Sequence, residues 1–242
     1  MTKRLQDKLA LVTGASSGIG RATAAALARE GAEVLATGRS KDKLQALADQ
    51  CANEGARLRF VVGDIDEAAF VRALAEQARD ADILINSAGT LTYAPLLDMT
   101  DEEIDAMFRT NVIGTLRLSR LVGANMASRG RGQIIMITSL AAREVYRFGV
   151  VYCATKHALT AITIGLRIEL QTHGVKVHEI APGMVATGMR DRINHPEVLA
   201  AVSTRKYEPL TADDVADAVV FAATAAPNLC PDLIELRPRG AS

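Results

Sequence analysis

Short apolar runs alternate with longer helical patterns along the whole of this 242-residue chain, and that alternation leaves few folds open. KLALVTG, residues 8–14, reads as a buried strand ending in glycine. The alanine-rich GIGRATAAALAREG follows as a helix closed by Gly31. AEVLATG, ARLRFVVGD and ADILINSAG read as further strands. Between them lie two helices, one carrying Leu44, Leu47 and Cys51 at helical spacing. Thr100 with Glu103 three residues on forms a capping-box signature and opens a helix predicted to run to about Arg129. GQIIMITS, VKVHEIAPG and LIELRP complete a set of seven strands, with helices around Tyr152 and after Thr211. The near-continuous apolar character of the strands is that of parallel strands covered on both faces. The expected fold is a doubly wound α/β domain, its central, mostly parallel seven-stranded sheet flanked by helices. No Pro-, Ser- or Gly-rich linker interrupts the pattern, so residues 1–242 are read as one domain. The least regular stretch, 184–210, follows strand six, where ligands bind in such sheets, and is the expected substrate-binding segment.

The charge balance narrows the function. Lys plus Arg and Asp plus Glu each number 28, so nothing recruits nucleic acid or an anionic membrane. The hydrophobic content of 49% is enough for a large core. Three scattered cysteines, Cys51, Cys153 and Cys230, show neither metal-ligand spacing nor a disulfide framework. The first apolar run is too short for a signal sequence, and no stretch is long enough to span a bilayer. The expectation is a soluble cytoplasmic protein with a small-molecule ligand.

The first strand ends in TGASSGIG, with Gly14, Gly18 and Gly20. A glycine turn between a strand and a helix lets a pyrophosphate approach backbone amides at the helix N-terminus, the requirement of a Rossmann-type nucleotide fold. Ser16 and Ser17 can add hydroxyl donors. An NAD site usually places an acid after the second strand to hold the ribose hydroxyls. Here the sequence is ATGRS, and Arg39 is suited instead to a phosphate, which argues for NADP(H), with NAD(H) possible.

Tyr152 and Lys156 sit one helical turn apart in VYCATKHAL. A tyrosine titrates near 10, too high for acid–base work at neutral pH, and a lysine on the same helix face favours the phenolate. Such a pair is common by chance, but Ser139 ends strand five thirteen residues earlier. Asn111 falls inside the long helix, where asparagine is a poor interior residue. It is either a local defect or a placed polar group.

Taken together, TGASSGIG at 13–20, Asp64, NSAG at 86–89, Asn111, Ser139, YCATK at 152–156 and PGMVAT at 182–187 resemble the short-chain dehydrogenase/reductase family in order and spacing. The resemblance implies a reversible NADPH-dependent reduction of a ketone or aldehyde. Tyr152 would be general acid and base. Ser139 would bind the substrate oxygen. Lys156 would bind the nicotinamide ribose and tune Tyr152, and Asn111 would hold a water in a relay to Lys156. Gly14, Ser16, Ser17, Gly18, Ile19, Gly20 and Arg39 would hold the cofactor. Asp64 and Ile65 would contact its adenine. Asn86, Ala88 and Gly89 would line it and support the central strand, and Pro182, Gly183, Val185 and Thr187 would close over the nicotinamide. Ser87 departs from the family's usual asparagine, and Ser17 stands where some NADP-preferring members carry a basic residue. The family also implies a homodimer or homotetramer, formed through the helices around 101–129 and 152–173.

Substrate contacts are less defined. Arg143, Glu144, Val145, Tyr146, Met184, Met189 and His195 are pocket candidates. The C-terminal portion loosely resembles reductases of 3-hydroxy acids and of biosynthetic aldehydes. An acid would want a cation from Arg143, Arg147 or Arg190. His157, His173 and His178 are expected on helix or strand surfaces, and Cys153 as a packing residue. Two alternatives stand beside the enzyme: a sensor that holds NADP(H) without turnover, and an epimerase or dehydratase of a sugar nucleotide.

Overall fold

A computed structural model describes residues 3–188, 193, 195–203 and 207–241. Seven strands form one sheet: β1 (Leu9–Val12), β2 (Glu33–Gly38), β3 (Leu58–Val62), β4 (Ile83–Asn86), β5 (Gly132–Ile137), β6 (Val175–Pro182) and β7 (Leu233–Leu236). Their order is β3-β2-β1-β4-β5-β6-β7, and every adjacent pair is parallel. The chain winds outward from β1 to β3, crosses back to β4, and winds outward again to β7. The topological switch therefore lies between β1 and β4, where the strand ends diverge and leave a crevice.

Strand alternation divides the core into two layers. Ala10 and Val12 of β1, Ile135 and Ile137 of β5, and Ile180 of β6 face one side. There they meet α1 (Gly18–Arg29), α2 (Lys41–Asn53) and α8 (Ala212–Ala223). Leu11, Ile134, Met136, Val175 and Val177 face the other side. They pack on α3 (Ala68–Gln77), α5 (Thr115–Ser128) and α6 (Val150–Leu170). A period of two along each strand thus supplies both layers. Among the described residues no helix is long and apolar enough to cross a membrane.

The capping box forms as the spacing predicts: Thr100 Oγ1 accepts from Glu103 N–H, and Glu103 accepts from Thr100 N–H. The long helix behind it does not run unbroken to Arg129. Helix α4 (Asp101–Phe108) gives way to a π-helical segment, Arg109–Gly114, before α5 begins. A Cβ on Gly114 would lie 2.6 Å from the Ile65 carbonyl oxygen, so the wide turn packs backbone against backbone. Such segments arise where an extra residue is accommodated in a helix, often at functional sites.

Two further differences from expectation concern β6 and the segment after it. His178 is fully buried rather than at a surface, its ring between the Pro231 carbonyl and the Gln133 side chain. Burial pushes its pKa down. The 184–210 stretch is closed at its base by a bridge between Val185 and Leu210 and contains a short helix, α7 (Pro196–Ser203), that the sequence pattern does not reveal. Met189 and Arg190 lie outside the described residues.

Candidate active site

The carboxyl ends of β1, β2, β4, β5 and β6 open into a cleft of about 680 Å³. Gly14, Ser16, Ser17, Gly18, Ile19, Gly20, Arg39, Asp64 and Ile65 line one part of it. Ala88, Gly89, Ser139, Tyr152, Lys156, Pro182, Gly183, Val185 and Thr187 line the rest. Asn86 and Asn111 are not in the lining. Both are buried just behind the wall.

The glycine turn is shaped by close backbone approach. Gly14 has φ +68°, and a Cβ there would lie 2.8 Å from Ala88 Cα. A Cβ on Gly20 would lie 2.4 Å from the Gly14 carbonyl oxygen. Thr13 fixes the turn to the neighbouring strand end, its Oγ1 accepting from the backbone N–H groups of Ser87 and Ala88 at 3.0 Å each. Ser17 precedes α1 in an extended conformation with no side-chain capping bond, and the first turn of α1 carries no acid. That N-terminus is suited to an anion. Arg39 lies 3.6 Å from Asp64. Lys43, in the first turn of α2, also lines this end of the cleft, a second cation that no sequence motif singles out. An uncapped helix start, a tight glycine turn and the nearby cations fit an anionic dinucleotide.

At the other end Ser139 follows β5. Its Oγ accepts from Ala141 N–H at 3.1 Å and donates a long bond of 3.3 Å to the Pro182 carbonyl. Tyr152 stands on α6 with its ring edge-on to Tyr93, centroids 5.8 Å apart. Lys156 is 6% exposed, donates to the Ile137 carbonyl at 3.2 Å, and lies 5.7 Å from the Tyr152 ring centre. Burial pushes its pKa down to about 8, against the field of Glu179, which raises it. Burial pushes the Cys153 thiol up, as for an inert packing residue.

The π-helical segment turns Asn111 inward. Its Oδ1 accepts from Thr90 N–H at 2.7 Å, and its Nδ2 donates to the Thr90 carbonyl and to Thr155 Oγ1 at 2.9 and 3.1 Å. Thr155 in turn donates to the Tyr152 carbonyl. Asn111 is thus a placed polar group, clamping the loop after β4 to the helix turn between Tyr152 and Lys156. Both its amide hydrogens are used in that clamp. Asn86 donates to Ser119 Oγ and braces β4 against α5.

The substrate end brings together residues far apart in sequence. Glu144, Tyr146 and Met184 line it, whereas Val145 points outward at 68% exposure. Arg143 pairs with Glu179 and Glu235, and Arg147 with Glu197. His195 pairs with Asp98. The segment after β7 returns to the cleft with Arg237, Pro238 and Ala241. Leu91, Tyr93 and Tyr207 join from other loops, so all four tyrosines of the chain line this cleft. Only the scarcity of aromatics, 4% of the chain, marks Tyr93 and Tyr207 in the sequence. Nothing in the sequence pointed to Arg237.

An α/β fold with a glycine turn after β1 and a Tyr/Lys pair after β5 defines a nucleotide-dependent oxidoreductase scaffold. Residues 8–198 match the short chain dehydrogenase family, and the chain belongs to it. An uncharacterized oxidoreductase of Staphylococcus aureus (strain MRSA252) is 38% identical over 238 residues, 97% of this chain and 98% of that protein. A metagenomic short-chain oxidoreductase solved in complex with NADP superposes with TM-score 0.84 at 30% identity, covering 98% and 100% of the two chains. A short-chain dehydrogenase from Sphingobium yanoikuyae in complex with NADPH superposes with TM-score 0.83 at 27% identity, covering 94% and 87%.

Proposed function

We propose that this oxidoreductase reduces a ketone or aldehyde with NADPH, reversibly, within a single catalytic domain. The observation that carries the reading is Lys156. It is a buried ammonium at the cleft wall beside Tyr152, with a pKa brought down to about 8. The hydride would come from NADPH held in the cleft. Tyr152 donates the proton to the substrate oxygen, and the charge of Lys156 lowers the cost of the phenolate left behind. Ser139 exchanges its long bond to Pro182 for one to that same oxygen and so orients the carbonyl. Asn111 holds the helix turn between Tyr152 and Lys156 in register with the loop after β4. Arg39 and Lys43 would hold the extra phosphate, and Gly14 to Gly20 the pyrophosphate.

The substrate reading favours a neutral carbonyl compound with apolar or aromatic bulk. Tyr93, Tyr146, Leu140 and Met184 form the walls, and Arg143, Arg147 and Arg237, described cations that an acid could use, are already paired with carboxylates. Burial pushes the Tyr146 phenol up, with Glu144 adding to it, so Tyr146 remains a hydrogen-bond donor. Self-association as a dimer or tetramer is consistent with Ile113, Leu116, Ile164 and Ile168, which are exposed on the π-helical segment, α5 and α6.

The cofactor assignment is tested by fluorescence titration of NADPH against NADH. Tighter binding of NADPH is expected, and Arg39→Ala should weaken it roughly 10- to 100-fold, the value of a charged hydrogen bond, while leaving NADH unchanged. Equal affinities that ignore the substitution would reopen the direction in favour of NAD-linked alcohol oxidation.

A further inference from the structure

On β6 the face that carries Val175 and Val177 continues with Glu179, where the strand pattern calls for another apolar residue. Glu179 is 2% exposed. A buried carboxylate is costly unless its lone pairs are satisfied and its charge is matched. Here Thr138 Oγ1 and Thr160 Oγ1 each donate to Glu179 Oε1 at 2.7 Å, and Arg143 donates to the same oxygen at 3.1 Å. These three donors come from three places in the candidate site. Thr138 immediately precedes Ser139. Thr160 stands one helical turn beyond Lys156 on α6. Arg143 follows the short helical turn that Ser139 begins, and it is itself held by Glu235 of β7 at 2.7 Å. One carboxylate oxygen therefore joins the strand end bearing Ser139, the helix bearing Tyr152 and Lys156, and the loop that leads into the substrate end.

We propose that Glu179 is a positioning residue of this site: it fixes Ser139 and Lys156 relative to each other, and its negative charge sustains the positive charge of Lys156. The catalytic consequence rests on the proposed roles of Tyr152 and Lys156 in carbonyl reduction. Lys156 meets Tyr152 of its own helix and the Ile137 carbonyl from β5, and Glu179 of β6 acts on it through its field, held by Thr138 next to Ile137 and by Thr160 one turn along α6. The groups that contact Glu179 are Thr138, Thr160 and Arg143, with Glu235 beyond Arg143. Burial pushes the Glu179 carboxyl up, but the bonds from Arg143, Thr138 and Thr160 outweigh it, and the group is held below the usual range. It is therefore ionised wherever Lys156 titrates. Removing a negative neighbour disfavours the charged lysine, so the sign of the effect is a lower Lys156 pKa.

The experiment is an NMR titration of the full-length, cofactor-free protein with isotope-labelled lysine, the Lys156 signal being assigned by its loss in Lys156→Met. A midpoint near 8 is expected in the wild type. Glu179→Gln, which keeps the size and an acceptor oxygen but loses the charge, should move it down by about one unit. The alkaline limb of kcat/KM for carbonyl reduction should move down with it while KM at neutral pH stays the same. Should Glu179→Gln fail to fold, Glu179→Met removes the charge with a side chain of similar volume while Arg143 keeps Glu235 as its partner at 2.7 Å, and the same downward shift is expected. An unchanged Lys156 midpoint in the folded variant overturns the proposal. The titration needs neither cofactor nor turnover, so its outcome for Glu179 is independent of whether the protein proves to be a reductase.

Discussion

Tyr152→Phe is expected to abolish nearly all turnover while leaving NADPH affinity intact. The substituted ring keeps the edge-on packing against Tyr93 at 5.8 Å, so no cavity opens and the cleft wall stays in place. What is lost is the phenolic proton, and a positioned general acid contributes roughly 10²- to 10⁴-fold. The loss should appear in kcat rather than KM, since Ser139 and the cleft walls still hold the substrate. Steady-state rates of NADPH oxidation with a series of ketones, alongside fluorescence titration of the cofactor, check both halves. Undiminished turnover would remove Tyr152 from the chemistry.

The second large effect is expected at the turn. Gly20→Ala places a methyl group 2.4 Å from the Gly14 carbonyl oxygen and 2.7 Å from its carbon. Both are backbone atoms, and no side-chain rotation relieves the contact. The turn must shift, and overpacking of this kind costs about 1–3 kcal/mol. Taken from cofactor affinity, that is roughly 5- to 150-fold weaker NADPH binding. Denaturant unfolding of the free protein measures the share borne by stability, and cofactor titration the share borne by binding. Wild-type values for both would show that the turn is looser than its geometry implies.

The layered α/β architecture was legible because it depends on local periodicity. Continuous apolar runs give the strands, and Thr100 with Glu103 gives a helix start that forms as read. The Tyr152/Lys156 pair and the glycine turn were legible for the same reason, their partners lying within one turn of chain. The π-helical segment was visible only as an oddity, an asparagine inside a helix, because its cause is tertiary: the approach of Gly114 to the Ile65 backbone. His178 was expected at a surface, and no motif marks Glu179. Their burial depends on Gln133, Pro231, Thr138, Arg143 and Thr160, which only the fold brings near. The substrate end was the least legible part: Glu144, Tyr146 and Met184 were marked by their loops, but Tyr93, Tyr207 and Arg237 come from segments that share nothing but their place at the ends of the strands.

That this chain turns over a carbonyl, rather than only sensing NADP(H), is tested most directly by isotope transfer. NADPH carrying deuterium at each of its two transferable nicotinamide positions in turn would be incubated with the protein and a panel of neutral aliphatic and aromatic ketones and aldehydes. The alcohols formed would be analysed by mass spectrometry. Deuterium on the carbinol carbon, from one labelled position and not the other, and lost in Tyr152→Phe, is the predicted result. Tight NADPH binding with no deuterated alcohol from any member of the panel would contradict the reductase account and leave a nucleotide sensor in its place.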